Sequence, residues 1–367
     1  MKSFLHRLIS NPKENQLQKI LLAPLSLLAL LYGWAVRTRI FFYRKGIYRT
    51  HSLSCKVISV GNITLGGTGK TPFVILLAEM IRDKGYRTAV LSRGYKGKYA
   101  GPYGVVSDGE KTLLDAVQAG DEPFLLAEKL KGVPIVVGKK RWISGRFALD
   151  RFKPQVVILD DGFQHLGLKR DINILLLHSL HPFGNGKLFP RGELREPLNQ
   201  MGRADVLILT KGEEGDIINK FGKRLMNLPE GVPLFRVHYQ PQEVRVWGEE
   251  KGRDFLVLKG KKVLAFAGLA RPFSFKKTLS SLGAEVLKFE VFPDHYPYSP
   301  ADLERLSGEA LRSGAEAMIT TEKDMARMRF ISPRSLPLWT LAVGHEFQGN
   351  DRSLFAEFLF HRLDLKA

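Results

Sequence analysis

Short apolar runs rich in β-branched residues alternate along the chain with longer stretches of helical spacing. Residues 55–60 (CKVISV) form the first such run, and 73–81 have the spacing of a helix packed on it. Strands are further predicted at 89–92, 134–137 and 155–159 (QVVIL), with a helix beginning near Phe124. After Pro233 the alternation resumes: strand 262–267 (KVLAFA), helix 272–282, strands 284–289, 316–321 (EAMITT) and 337–343, and a closing helix over 354–363. Strands interleaved with helices predict α/β architecture with sheets covered on both faces. With 367 residues, the chain exceeds one ordinary core, so two domains are expected.

The N-terminal part breaks this rhythm. Residues 20–36 (ILLAPLSLLALLYGWAV) carry no charge, and basic residues flank them: Lys13 and Lys19 before, Arg37, Arg39, Arg44, Lys45 and Arg49 after. As a helix this run would reach roughly 25 Å, short of a hydrocarbon core of ~30 Å. Tyr32 and Trp34 stand where an interfacial aromatic belt would place them. A long charged leader and the lack of a small-x-small site argue against a cleaved signal peptide. A buried core helix has the same length, but the cationic flanks favour a helix dipping into an acidic lipid surface, with the body on the cytoplasmic side.

Charge points the same way. The 56 Lys+Arg exceed the 37 Asp+Glu by 19, which favours an anionic partner: nucleic acid, acidic lipid or a phosphorylated substrate. The single cysteine, Cys55, excludes an internal disulfide and a cysteine-based zinc site.

The sharpest chemical signal follows the first strand. Gly61-Asn62-Ile63-Thr64-Leu65-Gly66-Gly67-Thr68-Gly69-Lys70-Thr71-Pro72 lies between a strand and a helix, the order a phosphate cradle requires. Glycines admit backbone N–H groups to the phosphates, and the helix N-terminus adds partial positive charge. Residues Thr64, Leu65, Gly66, Gly67, Thr68, Gly69, Lys70 and Thr71 are therefore the expected ATP-binding loop. Lys70 would reach the β and γ oxygens and Thr71 would offer its hydroxyl to Mg²⁺. The usual pattern has glycine where this chain has Thr64, and partitioning-type ATPases have a lysine where it has Leu65.

Such a loop needs an acidic partner at the end of a nearby strand. Asp160 and Asp161 follow QVVIL directly, where an open α/β sheet binds ligands, and with Thr71 they form the expected metal set. Other charged loops follow strands too: Arg93 and Tyr95 after 89–92, Asp121-Glu122 in GDEP, Lys139-Lys140-Arg141, and the stretch 190–197. Singly each reads as an ordinary loop. Asp121 alone could be a helix cap, and a lone histidine such as His295 is more often structural.

Together these residues resemble the tetraacyldisaccharide 4′-kinase family, the lipid A kinases of bacteria with an outer membrane. The likeness runs through the apolar N-terminus, SVGNITLGGTGKTP, LSRGYKG, GDEP, LDDGFQH, LREP, FPDHY and TTEKD. The family's loop also reads GN-x-x-x-GG-x-GKT, which accommodates Thr64. The resemblance implies an ATP-dependent kinase acting with Mg²⁺ on the 4′-hydroxyl of an acylated glucosamine disaccharide 1-phosphate. It implies a P-loop NTPase-like α/β/α sandwich, a smaller α/β/α domain and an N-terminal membrane-associated helix. The boundaries expected are 1–50 for the helical segment, 51–230 for the nucleotide domain, 231–260 for a β linker and 261–367 for the C-terminal domain, with nucleotide and substrate in the cleft between domains. Carried over by residue, Asp121 is the general base and His295 its partner from the second domain. Asp160 and Asp161 serve Mg²⁺, with Gln164 and His165 beside them. Arg93, Tyr95, Arg141, Arg195 and Glu196 line the phosphate or headgroup site. The setting implied is the cytoplasmic face of the inner membrane, with no nucleic-acid ligand and no required protein partner.

Three rivals fit less well. A nucleic-acid ATPase should interleave basic and aromatic residues on one face, and no such stripe is present. A partitioning ATPase lacks an acceptor site and wants lysine in place of Leu65. A GTPase would use Thr210-Lys211 or 321–324 for base recognition, and neither completes N-K-x-D.

Overall fold

A computed structural model describes residues 20–210, 231–249, 251–269, 271–328 and 335–364 of the protein. Lys13, Lys19 and Lys211, singled out above, lie outside the described residues. The first element, α1 (Ala23–Arg44), carries Pro24 in its opening turn, where a missing N–H costs nothing. Its 22 residues reach roughly 33 Å, longer than the apolar run alone implied. Charge ends a hydrophobic stretch but not a helix, and arginine is a good helix former, so α1 continues through Arg37 and Arg39.

The remaining elements follow in order: β1 (Lys56–Asn62), α2 (Lys70–Asp83), β2 (Thr88–Ser92), β3 (Gly104–Ser107), α3 (Asp121–Lys129), β4 (Ile135–Val137), α4 (Arg141–Phe152), β5 (Val156–Asp160), β6 (Ile172–His178), β7 (Val206–Thr210) and β8 (Leu234–Val246). Then come β9 (Lys262–Ala267), α5 (Pro272–Ser281), β10 (Glu285–Val291), α6 (Pro300–Arg312), β11 (Ala317–Thr321), α7 (Glu322–Met328), β12 (Leu338–Phe347) and α8 (Asp351–Leu363).

Contacts divide the chain into two units. The first comprises 1–93, 138–238 and 346–367, the second 94–137 and 239–345. This departs from the contiguous boundaries expected. Residues 94–137 cluster with the second unit, the closing helix with the first, and the expected β linker contains the strand β8. Apolar periodicity marks elements but carries no information on which sheet an element joins.

In the first unit all strands run parallel in the order β8-β7-β6-β1-β5-β2. β1 is central, and six of its seven residues are buried. Its C-terminal end, flanked by β5 and β6, is where such sheets bind ligands. Ile63, Phe163, Leu175, Leu177 and Leu209 pack beneath that end. Phe355 of α8 meets Phe73 of α2 and Phe235 of β8 edge-on, at ring separations of 6.0 and 5.3 Å.

Within the second unit the strands β10-β9-β11-β12 run parallel. Alternate residues of β9 enter two cores. Val263, Ala265 and Ala267 pack with Phe275 and Leu279 of α5, while Leu264 and Phe266 pack with Leu303, Leu306 and Ala310 of α6. A strand buried on both faces reads as a continuous apolar run, as KVLAFA does.

Candidate active site

The phosphate loop leaves β1 at Asn62 and enters α2 at Lys70. Gly69 opens the helix with φ +82°, a left-handed conformation that side chains disfavour. The loop is tied to the stretch before Arg195: Leu65 N–H donates to the Glu193 carbonyl at 2.7 Å and Arg195 N–H to the Ile63 carbonyl at 2.8 Å. Leu65, Gly66 and Gly67 remain exposed, while Thr68 is buried with no hydrogen-bond partner for its hydroxyl.

Four side chains converge at the loop's mouth. Lys70 Nζ donates to Asn62 Oδ1 at 3.1 Å and lies 3.6 Å from Asp161 Oδ1. Arg195 donates to both oxygens of Asp161, at 2.7 and 3.1 Å, and to Asn62 Oδ1 at 3.1 Å. Burial opposes ionisation of Asp161, but Lys70 and Arg195 outweigh it and hold the carboxyl far below the usual carboxylate range. Burial likewise lowers, and Asp161 more than restores, the affinity of Arg195 for its proton, leaving its pKa raised. Asp161 has φ +51°, a costly conformation for a residue with a side chain.

Asp160 ends β5 and is buried, accepting from the Ser92 hydroxyl at 2.8 Å. Arg141 is buried as well, its guanidinium donating to the Asp160 and Gly138 carbonyls at 3.2 and 3.3 Å. It props the Asp160 backbone at the end of β5. Gln164 Nε2 donates to the Asn62 carbonyl at 2.9 Å. His165 is largely buried and surrounded by arginines. Burial first, then Arg141 and Arg170, push its pKa down to about 3, so the ring is neutral near pH 7. Glu196 is buried and ion-paired with Arg203, whose guanidinium lies 4.5 Å from the Phe163 ring centroid. Burial raises the Glu196 pKa and lowers that of Arg203. Glu196 is thus committed to the interior, and only Arg195 of the LREP pair faces the loop. Arg93 is exposed at the end of β2.

The second unit holds the other expected pair. Asp121 begins α3, preceded by Gly120 at φ +91°, where a Cβ would meet the Tyr95 carbonyl oxygen at 2.6 Å. His295 Nδ1 lies 2.8 Å from Asp121 Oδ2, and the Tyr95 ring stands edge-on to the imidazole at 5.9 Å. His295 also has a positive φ, +61°. Burial disfavours the Asp121 carboxylate, but contacts with His295 and Arg327 prevail and lower its pKa.

Two members of these clusters were not singled out from the sequence, Asn62 and Arg327. Asn62 ends the SVGN stretch of β1, at the point where the chain enters the loop. Arg327 stands three residues beyond Asp324 of TTEKD, one helical turn on the same face.

Among the described residues no three His, Cys, Asp or Glu side chains cluster as a metal cage. Mg²⁺ needs none: it keeps waters and phosphate oxygens and takes one or two protein oxygens. Asp160 at the end of a strand paired with β1, and Thr71 in the first turn of α2, are hard donors of that kind. Asp161 fits less directly, because Arg195 occupies both its oxygens.

The profile of the tetraacyldisaccharide-1-P 4′-kinase family matches residues 18–363. A protein named tetraacyldisaccharide 4′-kinase from Syntrophus aciditrophicus is 43% identical over 327 residues, 87% of each chain. Its namesake from Desulfatibacillum aliphaticivorans is 41% identical over 364 residues, 97% of this chain and 96% of the other. A crystal structure of LpxK from Aquifex aeolicus in complex with ATP is similar at a TM-score of 0.73 and 32% identity, covering 94% of this chain and 99% of that one.

Proposed function

The chain belongs to the tetraacyldisaccharide 4′-kinase family, and on that premise we propose how its residues transfer the ATP γ-phosphoryl group to the 4′-hydroxyl of a tetraacylated glucosamine disaccharide 1-phosphate, forming the 4′-phosphorylated lipid A precursor. Backbone N–H groups of residues 65–71 and the N-terminus of α2 receive the triphosphate. Lys70, held between Asn62 and Asp161, turns its ammonium to the β and γ oxygens. Asp160 and Thr71 hold Mg²⁺, which when bound would neutralise charge on the phosphates. Asp161 keeps Lys70 and Arg195 facing the loop, so two fixed cations meet the charge that grows on the transferring group.

A sugar hydroxyl is a weak nucleophile, and a carboxylate must take its proton as the oxygen attacks. Asp121 is that base. Its depressed pKa keeps it ionised at neutral pH, and His295 orients it. The observation that carries this reading is the 2.8 Å contact between His295 and Asp121, two residues 174 apart in sequence. A half-buried carboxylate with an imidazole on one oxygen is arranged for proton transfer.

α1 brings the enzyme to its substrate. Leu27, Leu30, Leu31 and Trp34 are exposed on it, while Tyr32 and Ser26 face the protein, bonded to the Arg195 carbonyl and to Arg191. An apolar outer face beside Arg37 and Arg44 suits the cytoplasmic, acidic surface of the inner membrane.

The test is incubation with γ-labelled ATP and a panel of acceptors. Label is expected on the disaccharide lipid, absent from nucleic acid and protein, and lost in Asp121→Asn. Labelling of another acceptor class in place of the lipid would overturn the assignment.

A further inference from the structure

Arg327 has no role in the chemistry described so far, yet it touches both members of the acid–histidine pair. Its Nε donates to Asp121 Oδ2 at 2.6 Å, and Nη2 lies 3.3 Å from His295 Nδ1. Only 6% of its side chain is exposed. A guanidinium has donors alone, and an ionised carboxylate 2.8 Å from Nδ1 requires a donor there as well. Nδ1 therefore carries a proton directed at Asp121, and Arg327 cannot donate to it. Both donors end on the same carboxylate oxygen.

The guanidinium is itself braced. Nη1 donates to Asp324 Oδ1 at 2.9 Å, and Asp324 is wholly buried. That carboxylate also accepts from the Tyr298 hydroxyl at 3.1 Å, the Thr321 hydroxyl at 2.7 Å and the Gly268 N–H at 3.1 and 3.2 Å. Two ion pairs tie α7, which carries Arg327, to α3, which begins at Asp121: Lys323 to Glu122 at 2.7 Å and Lys129 to Glu322 at 2.6 Å. Asp121 and Arg327 thus stand on one rigid frame, as preorganised sites require.

We infer that Arg327 is a positioning residue for phosphoryl transfer: with His295 it occupies Oδ2 of Asp121, so that Oδ1 is the oxygen left to receive the proton of the acceptor hydroxyl. The inference rests on Asp121 as the base. Its guanidinium also favours the ionised carboxylate against the opposing effect of partial burial.

The test compares full-length wild type, Arg327→Gln, Arg327→Lys and Asp121→Asn, with ATP and acylated disaccharide 1-phosphate in mixed micelles. For R327Q, kcat should fall about tenfold or more with KM for ATP unchanged. The acid limb of its kcat/KM profile should move to higher pH, because losing the cation lets the carboxyl pKa rise. R327K keeps the charge, so its acid limb should stay near wild type, but one ammonium cannot reproduce the fork, so kcat recovers only in part. A wild-type kcat in R327K, or a wild-type acid limb in folded R327Q, overturns the inference. D121N separates the two levels. If it stays active the base assignment itself fails, whereas inactive D121N beside wild-type-like Arg327 variants removes only the positioning role.

Discussion

Arg195 grips Asp161 through two roughly parallel hydrogen bonds, 2.7 Å from Nη1 to Oδ1 and 3.1 Å from Nη2 to Oδ2. The same guanidinium reaches Asn62, which accepts from Lys70, and the Arg195 carbonyl accepts from Tyr32 of α1. One residue therefore joins the N-terminal helix α1 to the phosphate loop.

Arg195→Lys should show what the fork contributes. A lysine supplies a point charge and cannot hold both carboxylate oxygens. Turnover is expected to fall about 10- to 100-fold. Because the folded-state pKa of Asp161 is depressed, its stabilisation is present above the ordinary carboxylate range and lost as pH falls through and below it. In R195K the acid-unfolding midpoint, followed by circular dichroism, should move to higher pH. An unchanged midpoint would mean Lys70 alone sets the Asp161 charge.

Lys70→Ala removes the ammonium between Asn62 and Asp161. Loss of one such charge stabiliser costs about 10²–10³-fold in kcat, measurable in single turnover at saturating ATP. Intact turnover would dismiss the loop as the nucleotide grip.

Glu196 and Arg203 form a buried pair, so Glu196→Ala strands a cation over Phe163. Breaking such a pair destabilises by about 3–5 kcal/mol, to be read from urea unfolding. Glu196→Gln, which retains an acceptor, should cost less. A fully stable E196A with impaired lipid KM would instead return Glu196 to the headgroup.

Leu30→Glu with Trp34→Glu changes the outer face of α1, where both residues are more than two-thirds exposed. Binding to vesicles containing acidic lipid should weaken about tenfold or more, while ATP affinity measured by calorimetry stays at the wild-type value. Undiminished sedimentation with vesicles would exclude this face as the membrane contact.

Much of the active region was legible because its signals are local. The apolar run before Asn62, the glycines and Lys70-Thr71 dictate strand, turn and helix within a few residues, and Asp160 follows an equally plain strand. The burial of Glu196 and Arg141 was not legible, because a charged residue shortly after a strand reads the same whether it faces water or a buried partner. His165 carries no sign in its sequence that arginines will surround it.

By itself the order of residues determined an α/β chain, a phosphate loop, an apolar N-terminal helix with basic flanks and, through its motifs, a kinase family. Only the tertiary structure decided that 94–137 joins the second unit, that Asn62 and Arg195 complete the grip on Lys70 and Asp161, and that Arg327 stands against the Asp121–His295 pair. The physical reason is range. Backbone propensity and apolar periodicity act over one or two turns, whereas a hydrogen bond between side chains 174 or 206 residues apart exists only once packed helices and strands bring them within 3 Å.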